Sequence, residues 1–313
     1  MAATAKWSAS ATLKIVAMER VNRKFDFWGV PYDGASTLGW PGSRYAPERV
    51  RRALRWMVMR AQGELIYSND TGELHRFQTD LMCDRGDADV IAHDLTASLD
   101  ACAAAVASSV AGGRVPIVIG GDDSLLFGCV KGFHDSHHGS VGILHFDAHL
   151  DLMDENRQQG RFSQSSGMRR ALELPRVSAS HSIQVGVRNF NFPASREFVR
   201  QADLAQLPAS QFQSLGTEAA VERILSRLEG CDHVFWAFDI DVIDPSAAPG
   251  AGAHEPGGLT SRQALDCARL LANRCEGFSI VEVNPLMDHH DMTSTLAANL
   301  AFNFVVFGQE GAG

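Results

Sequence analysis

No apolar run in this chain approaches the roughly 18 residues that a bilayer-spanning helix needs, which argues against a helical membrane protein. A secretory leader is not expected either, because Lys6, Lys14 and Glu19 interrupt the apolar residues of the first stretch. Residues 1–20 read instead as an N-terminal arm, either loose or adding a strand at a subunit contact. The sequence has no Cys-x-x-Cys pair, and its six cysteines (Cys83, Cys102, Cys129, Cys231, Cys267 and Cys275) are scattered. That pattern excludes a zinc knuckle or a disulfide framework and fits reduced thiols in a cytoplasm. Positive charge is short as well: the net charge is −9 and the pI about 5.7, so neither nucleic acid nor an anionic membrane is an expected partner. Neither a phosphate-binding G-x-x-x-x-G-K-S nor a strand-borne G-x-G-x-x-G is present, and Ser124 sits in no nucleophile elbow. Repeats, low-complexity tracts and Pro/Gly/Ser linkers are missing too, so residues 21–313 read as a single domain.

What the chain does contain is a regular alternation. Hydrophobic residues make up 45% of its 313 residues, enough for a large core. Phe25–Val30, Pro116–Gly120, Val141–Phe146, Ser182–Val187, His233–Ile240 and Phe278–Val283 are apolar almost throughout, as strands covered on both faces are. Helical patterns occupy Ala46–Met59, Thr96–Ala111, Glu218–Leu228, Ser261–Asn273 and roughly Thr293–Val306. Strands alternating with helices imply an α/β protein with a parallel sheet between helix layers. Ligands of such sheets bind beyond the carboxyl ends of the strands.

The acidic motifs begin at those ends. Asp147-Ala148-His149-Leu150-Asp151 follows one strand, and Asp239-Ile240-Asp241 followed by Val242-Ile243-Asp244-Pro245 follows another. In extended chain, residues i and i+2 point the same way, so Asp147, His149 and Asp151 can converge, as can Asp239 and Asp241. Four carboxylates and one imidazole at close quarters repel unless cations neutralise them. Oxygen-rich donors of this kind suit Mn²⁺, with Ni²⁺ also accommodated.

These two motifs resemble the signatures of the ureohydrolases, the family of arginase, agmatinase, formimidoylglutamase and guanidinobutyrase. The resemblance extends along nearly the whole chain. Phe27-Trp28-Gly29-Val30-Pro31, Pro41-Gly42-Ser43-Arg44 and Pro47 are similar to the family's N-terminal stretch, and Gly120-Gly121-Asp122-Asp123-Ser124 to its G-G-D-H-S. Glu255-Pro256-Gly257-Gly258-Leu259-Thr260 resembles the agmatinases, and Glu282-Val283-Asn284-Pro285 the family's E-V-N-P. The resemblance implies a three-layer α/β/α fold with a central, mostly parallel sheet and two divalent metal ions, Mn²⁺ or Ni²⁺. It also implies trimers or hexamers and hydrolysis of a guanidino compound to urea, or a urea-like fragment, and an amine. Carried over, Asp147 and Asp239 would bridge the metals. Asp123 and Asp151 would complete one, His149 and Asp241 the other, and Glu282 would hold the guanidinium.

Three departures bear on activity. The family's G-G-D-H-S histidine, a metal ligand, is Asp123 here. The proton-shuttling histidine expected thirteen residues after Asp151 is Gln164, within a Ser165-Ser166-Gly167 segment similar to that of formimidoylglutamases. Glutamine carries no proton at useful pH, a loss worth roughly 10²–10⁴ in rate. Two threonines of a G-T-G-T run are Ala251 and Ala253. Among family members acting on biguanides, such as metformin hydrolase, an active and a degenerate subunit associate, and these substitutions resemble the second. The resemblance therefore implies a non-catalytic subunit partnered by a paralogue; the alternative is an active enzyme with an unusual Asp ligand. Outside the motifs, His134, His137 and His138 read as an exposed turn. Asp291, in Asp288-His289-His290-Asp291, is expected to cap the C-terminal helix. The segments Val187–Asn191 and Asn156–Met168 should form the outer wall of the site.

Overall fold

Val115–Ile119 is buried at every position, and every strand of its sheet runs in the same direction. The computed structural model describes residues 23–36, 39–78, 80–155 and 157–309; the arm expected over residues 1–20 lies outside them. The strands are β1 (Phe25–Gly29), β2 (Leu65–Tyr67), β3 (Leu74–Arg76), β4 (Met82–Asp87), β5 (Val115–Ile119), β6 (Val141–Phe146), β7 (Ile183–Val185), β8 (Ala205–Leu207), β9 (His233–Asp239) and β10 (Gly277–Val281). Eight of them form a sheet ordered β4-β1-β5-β10-β9-β6-β7-β8, with parallel pairing throughout. A small antiparallel hairpin, β2-β3, stands apart.

Helices cover both faces, giving three layers. The helices are α1 (Ala46–Val58), α2 (Leu95–Ala111), α3 (Leu125–Ser136), α4 (Gly167–Ala171), α5 (Pro193–Gln201), α6 (Ala209–Leu215), α7 (Thr217–Leu228), α8 (Ser261–Leu271) and α9 (Met292–Phe307). Alternation along each strand splits the core. Phe25, Phe27, Ile117, Phe146, Trp236 and Phe278 pack with α1, α7, α8 and α9, whereas Val118, Ile143, Phe235 and Ala237 pack with α2 and α3. Trp236 is the centre of the first half, with Phe146 and Phe278 ring centroids 5.2 and 4.9 Å away.

The six expected strands and five expected helices are all present, with ends shifted by a few residues. Four strands and four helices had no counterpart in the periodicity reading. β2, β3, β7's neighbour β8 and the edge strand β4 are short or half exposed. Helix α3 is buried nearly all round, so it carries no amphipathic period. Two local expectations are corrected. His134 is not in an exposed turn but buried on α3, and His137 caps that helix, half buried. The side chain of Asp291 makes no capping bond to α9. Asp288 does so instead, accepting from the amides of Thr293 and Ser294, each at 2.9 Å.

Candidate metal centre

Strands β5, β10, β9 and β6 are neighbours in the middle of the sheet, and the segment leaving each carries an acid. Asp122 and Asp123 follow β5, Asp147 follows β6, Asp239 ends β9 and Glu282 follows β10. All five are buried. Asp151 and Glu282 hold left-handed backbones, φ 48° and 60°, a conformation that costs a non-glycine residue about 1–3 kcal/mol and tends to collect at functional sites. Glu282 Oε1 accepts from the Asp123 amide at 2.9 Å, which ties the segments after β5 and β10 together.

Two sets of donor atoms lie close enough to share an ion. One comprises Asp123, His145, Asp147 and Asp151; the other comprises Asp147, His149 and Asp241. Asp147 belongs to both. Of the six residues expected as metal ligands, the structure places Asp123, Asp147, His149, Asp151 and Asp241 in these sets. Asp239 belongs to neither, but it borders the same cavity, with Oδ1 accepting from the Asp241 amide at 2.8 Å.

The electrostatics suit a cation. Both oxygens of Asp123 and Oδ2 of Asp147 are buried without an aligned hydrogen-bond donor, and a buried carboxylate in that condition is costly. Burial, then the charges of Asp151 and Asp147, push Asp123 well above the usual carboxylate range. Burial followed by Asp147 does the same to Asp151, and burial followed by Asp241 to Asp239. For Asp147 burial acts in the same sense, but His145 and His149 outweigh it and hold the group far down. His149 Nδ1 lies 3.0 Å from Asp241 Oδ2 and 3.5 Å from Asp147 Oδ1. Asp241, opposed by burial and joined by Asp147, keeps that imidazole protonated well beyond its ordinary range. A divalent ion held by these residues would offset the same negative charge that favours this proton, and carboxylates with one imidazole suit hard or borderline divalent metals.

Above the carboxylates opens a cavity of about 450 Å³, within the ordinary range for a small-molecule site. Gln164, Ser165, Phe190 and Asn191 form part of its wall, as expected for the segments 156–168 and 187–191, and Ala253 lines it as well. Gln164 faces this cavity, and Ala251 is buried in a bridge to Val283.

Three participants escaped the sequence reading. His145, near the end of β6, precedes Asp147 by two residues, so the same i, i+2 alternation could have found it. Its Nδ1 faces the Gln184 amide nitrogen at 3.2 Å, and that nitrogen also donates to the Leu150 carbonyl at 2.7 Å. Gln206 donates to the Gln184 oxygen at 3.1 Å, which fixes the amide orientation. Nδ1 is therefore an acceptor and the ring proton sits on Nε2, facing Asp147. In that tautomer His145 turns an N–H rather than a lone pair toward Asp147 Oδ2, 3.0 Å away, which supports the carboxylate. Asp122 is pushed up to about 6 by burial, although Ser124 and the Ala35 amide donate to it. Arg188 binds the carbonyls of Asp241 and Glu255 at 2.7 and 2.6 Å and that of Val242 at 3.2 Å. No sequence period marks that staple.

A parallel sheet between two helix layers, with shared carboxylates at its carboxyl edge, defines an α/β protein of arginase-like architecture with a metal-competent centre. The family model described as the arginase family matches residues 23–306, and the chain belongs to that family, the ureohydrolases. It is 31% identical over 285 residues to the mitochondrial agmatinase of Gallus gallus, covering 89% of this chain and 79% of that one. It is 29% identical over 276 residues to the proclavaminate amidinohydrolase of Streptomyces clavuligerus, covering 87% and 84%. The formimidoylglutamase structure from Bacillus subtilis superposes with a TM-score of 0.82 at 27% identity, covering 93% and 89%. Among the described residues, no helix is long and apolar enough to cross a membrane.

Proposed function

We propose that this chain is the non-catalytic subunit of a hydrolase that cleaves C–N bonds in guanidino or biguanide compounds, assembled with an active ureohydrolase paralogue. The observation that carries this reading is the amide side chain of Gln164 on the cavity wall, which carries no proton at useful pH. His149 is the one histidine among the described lining residues, and it lies against Asp241 and Asp147. Gln164 stands where the family's shuttle is expected, and Asp123 replaces the family's histidine ligand.

Asp123, Asp147, His149, Asp151, Asp239 and Asp241 are the residues that would hold two divalent ions, Mn²⁺ or Ni²⁺. Such ions supply Lewis acidity and an activated water. Glu282, buried at the cavity floor, would orient a guanidinium by paired hydrogen bonds to its carboxylate. Ala251 and Ala253 offer no hydroxyl to assist. Binding and orientation thus survive in this chain, while proton delivery to a leaving amine does not.

A second reading, that of an active enzyme with Asp123 as an unusual ligand, is favoured by the retention of both donor sets. The test is urea release from guanidine, agmatine, guanidinobutyrate and biguanide by the chain purified alone after growth with Mn²⁺ or Ni²⁺, with metal content measured on the same sample. No urea from the chain alone, and activity on mixing with a paralogue carrying both histidines, is the expected result. Near two ions per chain together with urea release from the isolated chain would establish the active-enzyme reading instead.

A further inference from the structure

At the amino ends of the strands, opposite the carboxylate centre, His137, His233 and Glu276 converge, with their donor atoms within 4.8 Å of one another. His137 ends α3, His233 opens β9 and Glu276 immediately precedes β10. None of the three belongs to the family motifs named above, and they lie far apart in sequence, so the fold alone brings them together.

The arrangement of the two rings is specific. His137 Nδ1 lies 2.8 Å from the Phe133 carbonyl oxygen, and a carbonyl can only accept, so that nitrogen carries the proton. His233 Nε2 lies 2.9 Å from the His138 carbonyl oxygen, so it too is a donor. The remaining nitrogens, His137 Nε2 and His233 Nδ1, both face Glu276 Oε2, at 3.8 and 2.6 Å. Neutral imidazoles in these tautomers direct two lone pairs at a carboxylate, an arrangement that requires a cation or a proton between them. Burial lowers the pKa of His137 and favours its neutral form. The two rings contact each other tilted by 43°, with centroids 4.3 Å apart, and Phe133 packs on His137 at 4.1 Å, which restricts both orientations. Among the nearby guanidinium groups, Arg23 donates to the Ala272 carbonyl, Arg274 to those of Leu228 and Cys231, and Arg176 to those of His134 and His137; the Arg23 charge also acts on Glu276, across space.

A ring whose second nitrogen donates to a backbone carbonyl is the usual support of a metal-bound histidine, and two histidines with one glutamate form a zinc-type donor set. We propose that His137, His233 and Glu276 bind one divalent transition metal of the zinc class, separately from the carboxylate centre. At metal–ligand distances of about 2.0–2.2 Å, tetrahedral donors stand about 3.3 Å apart. Glu276 must therefore withdraw slightly from His233 and approach His137, which its partial exposure of 37% permits. The remaining coordination is left to solvent.

The experiment is a Zn²⁺ titration of the full chain against a chromophoric chelator. The variants are His233→Ala, Glu276→Gln and His137→Gln, together with an Asp239→Asn/Asp241→Asn chain in which the carboxylate centre is weakened. One zinc equivalent should persist in the Asp239→Asn/Asp241→Asn chain and disappear when His233→Ala is added. In the otherwise unchanged chain, Glu276→Gln should weaken that equivalent at least about tenfold. Equal zinc stoichiometry and affinity in the parent chain, His137→Gln and Glu276→Gln, each verified as folded by far-UV circular dichroism, would overturn the proposal. A melting temperature that falls equally in the three variants, with zinc raising it in none, would identify the cluster as a proton-bridged ion pair and overturn it as well.

Discussion

His145 Nε2 stands 3.0 Å from Asp147 Oδ2, with both side chains fully buried. Asp147 is the one carboxylate common to both donor sets, so the histidine beside it sets the charge available to either ion. Replacing His145 by Phe keeps a ring of similar bulk and removes the proton that faces Asp147. Mn²⁺ or Ni²⁺ affinity should change by about 10–100-fold, as it does when a supporting partner of a metal ligand is lost. Equilibrium dialysis measures it; an unchanged affinity would mean that His145 is only core packing.

The metal-free chain should lose stability as pH rises. Asp123, Asp151 and Asp239 all have raised folded pKa values, caused first by burial. Above the unfolded carboxylate value of about 4, the folded chain therefore holds more protons than the unfolded one, and unfolding free energy falls with pH. This contribution is complete below about pH 4 and declines as pH climbs through the raised values. Melting temperatures between about pH 5 and pH 8 should fall, and Asp239→Asn should flatten the slope while removing part of the rise that added Mn²⁺ produces. A slope identical in the two proteins would show that Asp239 does not titrate with the centre.

Gly167 opens α4 directly against the β5 loop. A Cβ there would stand 2.6 Å from the Asp123 carbonyl oxygen and 2.9 Å from its Oδ2. Gly167→Ala must displace either α4 or Asp123, at a cost of about 1–3 kcal/mol for overpacking. Thermal unfolding with and without metal gives the readout: a lower melting point and weaker metal stabilisation are expected together. Loss of stability with unaltered metal response would place the adjustment in α4 alone.

Arg188 should not tolerate lysine. Its guanidinium joins the segment after β9 to the loop carrying Glu255 through several carbonyls at once, and an ammonium cannot reproduce that fork. Arg188→Lys is expected to cost about 1–3 kcal/mol and to raise hydrogen exchange in residues 241–258 before the rest of the chain. Exchange that rises uniformly would point to a general loss of stability instead.

The chain's own order of residues was enough for several conclusions. Short apolar runs such as Pro116–Gly120 read as strands covered on both faces, because a strand with one wet face alternates. The i, i+2 spacing of Asp147, His149 and Asp151 sets their side chains on one side of an extended segment whatever surrounds it. The fold class and most of the carboxylate centre could be read from such local rules. What they leave open depends on distance along the chain. The buried helix α3 has no polar face to give it a period, and β8 is too short to have one. His145 acquires its role from Gln184 on β7 and, through it, from Gln206 on β8. Asp288 replaces Asp291 at the end of α9 because the left-handed turn at His290 and Asp291 brings it back over the helix amides. His137, His233 and Glu276 meet only because α3 ends, and β9 and β10 begin, on the same edge of the sheet. Local rules fix which way a side chain points; only tertiary packing decides what it faces, since that depends on register between strands that the sequence keeps far apart.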